Sequence, residues 1–290
     1  MTAKSNHWAA QQERGNRLLL GLTTLMVRHL PAFLMNPCIW FVVFYFYLTA
    51  PAPRRHIARY QARLAAAYPD APLPRRWPVL KQFTAFGRAV CDRFAVWQRK
   101  IRYENLVLHD PDNVYADMDS PDGRGQIFVC SHVGNVEICR ALVSHHQGFK
   151  LNVLVHSRHA QAFNEALIKA GADRIQLIQV ADLDAALMME LNARIEAGEW
   201  LAIAGDRVPL NGGRHIEVGF LGYTAAFPQG PWLLAGLLKC PVNLMFCLKH
   251  KGRYRVILEP FAREVVWRRN NREQVIDDWA TLYADRLGYY

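Results

Sequence analysis

His132 and Glu137 stand five positions apart in the run HVGNVE. Histidine suits general-base work because its pKa lies near neutrality, and a carboxylate that fixes its tautomer and stabilises the imidazolium makes it a better base. Such a pair could take the proton of a hydroxyl or amine as that group attacks a carbonyl. The spacing restricts how the two can meet. On one continuous helix five residues turn through about 500°, so their side chains would diverge by about 140°. The pair works only if His132 sits on a strand end or turn and Glu137 lies in the first helical turn, reaching back. Gly134 permits a sharp turn there, and Asn135 is a good N-cap. A helix starting at this point would also offer backbone N–H groups to an oxyanion or phosphate.

Other residues compete for the chemistry. In an extended strand Ser131 points away from His132, whereas Cys130 shares its face, about 6.6 Å along the chain. A Cys130–His132 dyad forming an acyl-enzyme is one option; a buried structural thiol is the commoner use of cysteine. Cys139 reads as core. His145 and His146 read as a helix-end pair rather than metal ligands, since no matching Cys or carboxylate spacing accompanies them. The six cysteines show no CxxC spacing, which argues against structural zinc and fits free thiols in a reducing compartment.

The elements that must position these residues are visible as apolar runs. QIFVC (126–130), LNVLV (151–155), IQLIQV (175–180) and WLAIA (200–204) read as strands. Helical patterns lie between them, over 135–147, 159–171 and 182–197. Residues 79–108 carry a further helical pattern, and 205–228 read as a long loop containing Gly and Pro. A helix over 229–239 precedes two strands joined across Lys251–Gly252, and a helix follows from about Asn271. This alternation predicts an α/β fold with a mixed, mostly parallel sheet flanked by helices. In such sheets ligands bind beyond the carboxyl ends of the strands. Three strand ends carry ionisable residues: Ser131-His132, His156-Ser157-Arg158 and Gly205-Asp206-Arg207. Structural uses compete here too, since Asp206 could pair with Arg207 and Arg158 could cap a helix.

The net charge of +10 is unevenly spread. Residues 1–63 hold eight Lys and Arg against one acidic residue, Glu13, whereas the remainder is close to balanced. Leu30 to Pro53 carries no charge, and its centre, CIWFVVFYFYL, is rich in aromatics. Cationic flanks around an apolar block suit an anionic membrane surface. A nucleic-acid binder would interleave basic and aromatic residues instead. A spanning helix needs about 20 apolar residues; Pro31–Ala50 approaches that length, with Pro37 interrupting it. A short span, an interfacial or re-entrant helix and a buried core helix all stay open. Residues 8–29 read as an amphipathic helix and 54–67 as a basic one. The expected division is 1–63 as membrane-associating helices and 64–290 as the α/β domain.

At HVGNVE the chain resembles the lysophospholipid acyltransferase superfamily, in particular the bacterial late acyltransferases of lipid A biosynthesis. That family shows H-x4-D/E, usually H-x-G-N-x-E, after an apolar strand; His132, Gly134, Asn135 and Glu137 match it. Trp8 with Glu13-Arg14-Gly15, GDRVP (205–209) and FLGYTAAFPQGPWLLA (220–235) resemble further family blocks, so the likeness covers about 8–280. The FPEGTRS block of the glycerolipid branch is absent, with GDRVP in its place. The resemblance implies a membrane-associated acyltransferase, with His132 as base and Glu137 as its orienting partner. Arg158 and Asp206, with Arg207 adjacent, match the family's strand-end Arg and GD-block Asp near the substrate. It further implies an acyl thioester donor, on acyl carrier protein or coenzyme A, and a lipid or glycolipid acceptor. Metal and cofactor are not expected. The implied location is the bacterial inner membrane, with the catalytic domain on the cytosolic face. A non-catalytic lipid-binding protein of the same fold is the alternative.

Overall fold

The computed structural model describes residues 25–290 apart from 31, 71–72, 119, 121–122, 147, 156–174, 181–183 and 209–213, with backbone only at 32 and 33. The chain divides into two compact units, 1–100 and 101–290.

In the described part of the first unit three helices follow one another: α1 (Ala32–Thr49), α2 (Pro51–Ala67) and α3 (Pro78–Trp97). Both α2 and α3 open with proline at the first helical position, where the missing N–H costs nothing. Pro37 lies inside α1 without ending it. Packing of α3 on α1 is close at Gly87, where a side chain would meet Val43, and Tyr47 meets Phe83 edge-to-face at 5.7 Å. Gln61, buried on α2, donates to Gln82 (2.8 Å) and to the Pro78 carbonyl (3.1 Å). Much of α1 stays exposed, including Phe41, Tyr45 and Leu48. Among the described residues no single helix is long and apolar enough to cross a membrane. Only the bent pair Leu34–Thr49 and Pro51–Ala67, at 94°, passes on length and composition together. The amphipathic helix expected over 8–29 lies outside the described residues except for 25–29, which are helical.

The second unit is built on a seven-stranded sheet. Its elements are β1 (Leu106–His109), β2 (Ile127–Gly134), α4 (Arg140–His145), β3 (Leu151–Val155), β4 (Ile175–Gln179), α5 (Ala185–Glu196), β5 (Trp200–Ala204), β6 (His215–Phe220), β7 (Tyr223–Pro228), α6 (Gly230–Leu238), β8 (Val242–His250), β9 (Arg253–Ala262) and α7 (Arg272–Tyr289). The strand order is β1-β9-β8-β2-β5-β3-β4, and β6 and β7 form a separate antiparallel pair. All neighbours in the large sheet run parallel except β8 and β9.

The apolar runs are continuous because the central strands are covered on both faces. One face packs Ile127, Val129, Leu201 and Phe246 against Trp232 of α6 and Ile276 and Tyr283 of α7, all nearly inaccessible. On the other face Trp200 meets Phe128 at 4.8 Å, tilted, and Phe149 at 5.6 Å, edge-on. Each such large side chain contributes roughly 1.5–3 kcal/mol on burial. Three expectations need correction. Leu106–His109 is a strand, not helix; it pairs with β9 at the sheet edge, a partner nearly 150 residues away in the chain. The stretch expected to be a loop contains the β6–β7 hairpin, whose Val218 and Phe227 are buried in the core. The region expected to be a helix from 135 begins with a tight 3₁₀ turn, Val136–Cys139, before α4.

Candidate active site

β2 is the strand from which the site is built. Beside β5 it runs in regular parallel register, Ile127↔Leu201 through Cys130↔Ala204. Beside β8 the register breaks: Cys130 faces Met245, but Gly134 faces Cys247. Four steps on β2 therefore match two on β8, and residues 131–133 bulge out of the ladder. Bulged backbone groups need other partners. Val133 N–H donates to the Ser131 hydroxyl at 3.2 Å. His132 N–H donates to Asp206 Oδ2 at 2.6 Å.

Asp206 is there because of register. Extending Cys130↔Ala204 by two residues on each strand sets 206 opposite 132. Gly205 N–H still bonds the Cys130 carbonyl at 2.8 Å, so the two chains remain adjacent at this point. Gly205 is required for that approach, since a Cβ would sit 2.6 Å from Val129 and 2.8 Å from the Tyr283 ring. The same Cys130 carbonyl accepts the buried Tyr283 hydroxyl at 2.9 Å. Burial, with Asp206 and Cys130 nearby, pushes the Tyr283 phenol well up, so it stays a donor.

The second oxygen of Asp206 holds the ring. His132 Nδ1 lies 2.8 Å from Asp206 Oδ1. An ionised carboxylate only accepts, so Nδ1 carries the proton and Nε2 is left as the acceptor. The His132 side chain is 43% exposed, whereas that of Asp206 is 11% exposed. A mostly shielded carboxylate thus grips the backbone and ring of an accessible histidine.

The carboxylate on this ring is not the expected one. Glu137 lies in the 3₁₀ turn and forms an ion pair with Arg140 at 2.6 Å, three residues on. Its turn follows an extra stretch of bulged strand, and the i+3 arginine takes up its carboxylate. Gly134 has φ +77, and a Cβ there would lie 1.9 Å from the Cys247 carbonyl oxygen, so the turn demands glycine. Asn135 occupies the N-cap position but caps nothing with its side chain. It is buried; its N–H donates to the Cys247 carbonyl at 2.9 Å and its amide to Tyr254 Oη at 3.4 Å. Arg207 follows Asp206 and is exposed. Arg158 lies outside the described residues.

The rival nucleophiles are poorly placed. Ser131 is buried and engaged within the bulge. Burial pushes the Cys130 thiol up to about 12, with the Asp206 charge adding to the effect. His145 ends α4 stacked on Tyr103 at 4.1 Å, and buried His146 packs against Tyr115. Among the described residues no three His, Cys, Asp or Glu side chains converge as a metal-holding group. The clefts of about 530 Å³ beside Trp267, Arg269 and Arg272, and of about 320 Å³ beside His109, Asp112, Glu259 and Arg286, are lined by none of these site residues.

A signal for the Asp206 pairing was present in the chain: each of two adjacent apolar strands carries an ionisable residue two positions past its last apolar one. An Asp–His pair at neighbouring strand ends is a general-base arrangement. Residues 4–274 match the family model of the bacterial lipid A biosynthesis acyltransferases. The chain belongs to that family. It is an acyltransferase. No curated protein matches the chain closely enough to count as a relative. The match to the lipid A biosynthesis acyltransferases includes β2 and HVGNVE (132–137).

Proposed function

We propose that the chain moves a fatty acyl group from an acyl thioester to a hydroxyl or amine of a lipid A-like acceptor directly, without an acyl-enzyme. The bond between His132 Nδ1 and Asp206 Oδ1 carries this reading. Nε2 takes the acceptor's proton as its oxygen or nitrogen forms a bond to the thioester carbonyl carbon. The tetrahedral intermediate then expels the thiolate as the C–S bond breaks, and the proton on Nε2 passes to the leaving sulfur. Backbone N–H groups near Gly134, or Arg158, are the proposed oxyanion donors. Asp206 is a positioning residue in this scheme. Glu137 acts through Arg140 to hold the turn, and Arg207 supplies positive charge beside the acceptor.

The donor is proposed to be acylated carrier protein, with coenzyme A second. Membrane association is assigned to the first unit, within the proposed 1–63 segment. The exposed aromatics of α1 and the basic residues of α2 support it, as apolar and cationic surfaces meeting at one bend. The corresponding location is the bacterial inner membrane, with the catalytic domain, 64–290, on the cytosolic side.

The test is transfer from a defined acyl thioester in membranes, comparing wild type with His132→Ala. Losing a catalytic base costs about 10²–10⁴-fold. Near-normal turnover by folded His132→Ala would sink the role given to that residue.

A further inference from the structure

The β8–β9 hairpin ends in KHKGRYR, residues 249–255, which holds four Lys and Arg, one His and no acid. Lys251 and Gly252 have φ +47 and +82, so the strands are joined by a tight two-residue turn that fixes the tip. Register arranges the charge. Leu248↔Arg255 and His250↔Arg253 are opposite pairs, which puts both arginines on one face. Lys249 lies on the other face, over the Tyr254 ring at 4.8 Å. All these cationic side chains are exposed, and Tyr254 is buried. Lys251, Arg253 and Arg255 form no ion pair among the described residues. Cations clustered on one rigid tip repel each other, a standing cost unless an anionic surface meets them.

The tip belongs to the neighbourhood of His132. Gly134 and Asn135 lean on the Cys247 carbonyl, and Asn135 also reaches Tyr254. From Cys247 the strand runs three residues further to the tip, about 10 Å. The charge therefore stands at the rim of the site, beyond the turn that carries the base.

Resting on the acyl-transfer reading above, we infer that this tip docks an acidic protein that carries the acyl thioester. Its exposed side chains are two lysines, two arginines and His250, with no acid or apolar group among them. A membrane contact would place exposed apolar groups or Trp and Tyr rings among them, and single-stranded nucleic acid would stack on exposed Phe, Tyr or Trp rings; the one such ring here, that of Tyr254, is buried. A folded partner with an acidic face matches spread, exposed charge on a stiff support, and docking there presents a thioester beside His132.

The experiment uses the full chain with Lys251→Glu, Arg253→Glu and Arg255→Glu combined. The same acyl chain is supplied on acidic carrier protein and on pantetheine. The variant is expected to raise KM for the carrier about tenfold or more, the scale on which steering charges act on association. It is expected to keep kcat, to lose most of the salt dependence and to treat acyl-pantetheine as wild type does. An unchanged KM for the carrier overturns the inference. So does an equal loss with both donors, which would make the tip a fold support, and so does lost binding to phosphatidylglycerol vesicles with carrier kinetics intact. Titration of labelled carrier onto each protein reads docking without turnover. Carrier binding by wild type that no thioester converts to product would refute acyl transfer while upholding the docking surface.

Discussion

Asp206→Asn separates the two carboxylates that could serve His132. Asp206 accepts twice, from His132 N–H at 2.6 Å and from Nδ1–H at 2.8 Å. An amide has one accepting oxygen and one donating nitrogen, so Asn cannot serve both. If its oxygen stays on the backbone, its NH₂ faces Nδ1, and the ring proton must move to Nε2, the atom that has to accept. If the amide flips, the ring keeps its tautomer but the bulge leaves a backbone donor unmatched, costing about 1–3 kcal/mol of stability. In the Ser-His-Asp arrangement the same exchange costs about 10⁴-fold through the wrong tautomer. Here the expected loss in kcat is about 10²–10⁴-fold, or roughly 2.7–5.4 kcal/mol of barrier. The assay is steady-state transfer from a single acyl thioester, run beside Glu137→Gln and His132→Ala, with melting curves to confirm folding. Asp206→Asn and His132→Ala combined should cost little more than either alone, because the two act as one unit. Glu137→Gln should lose much less. If Glu137→Gln abolishes turnover while Asp206→Asn retains it, the observed pairing is not the working one.

Cys130→Ala should keep most of its turnover, and intact-mass analysis after exposure to acyl thioester should find no adduct at position 130. With its thiol pushed up to about 12, only about one molecule in 10⁴ is thiolate at pH 8; a trapped thioester there would revive the acyl-enzyme route. Gly134→Ala should lower the melting temperature, since left-handed strain costs about 1–3 kcal/mol before the contact with Cys247 is counted; an unchanged melting temperature would mean the turn relaxes freely. Glu259 gives a pH signature. Burial by itself would raise its pKa, but hydrogen bonds from Arg286 and Tyr290 and the Arg286 charge outweigh this and hold it below the usual glutamate range. Its contribution is then present above the unfolded value of about 4.3 and lost as pH falls through the lower folded value. Glu259→Gln should therefore lower the urea midpoint at pH 7, with the gap closing in the acid range; a gap independent of pH would remove the carboxylate from the account.

Strand identity was legible wherever the strand lies deep in the sheet. Ile127–Cys130, Trp200–Ala204 and Leu244–Cys247 are apolar without break because helices cover both faces. The hairpin across Lys251–Gly252 announced itself through the glycine its turn requires. The edge strand β4 was also legible, as IQLIQV, but the opposite edge and the separate pair were not. Leu106–His109 is short and half-buried, and what makes it a strand is β9, far away in the chain. The β6–β7 pair was hidden by its Gly and Pro neighbours, although His215–Phe220 alternates exposed and buried residues cleanly.

The site divides along the same line. HVGNVE specified by itself a turn after a buried strand, because Gly134 tolerates a backbone that other residues resist and the flanking runs are apolar. It also marked His132 as the candidate base. Which carboxylate reaches its ring was decided only by tertiary structure. Two extra residues on β2 lift His132 out of the ladder, β5 brings Asp206 opposite it, and Glu137 goes to Arg140. Local spacing governs partners within one element, but a hydrogen bond between strand ends depends on the register of two strands. That register is set by the core beneath them, through Gly205, Tyr283 and Cys247, none of which lies in the motif.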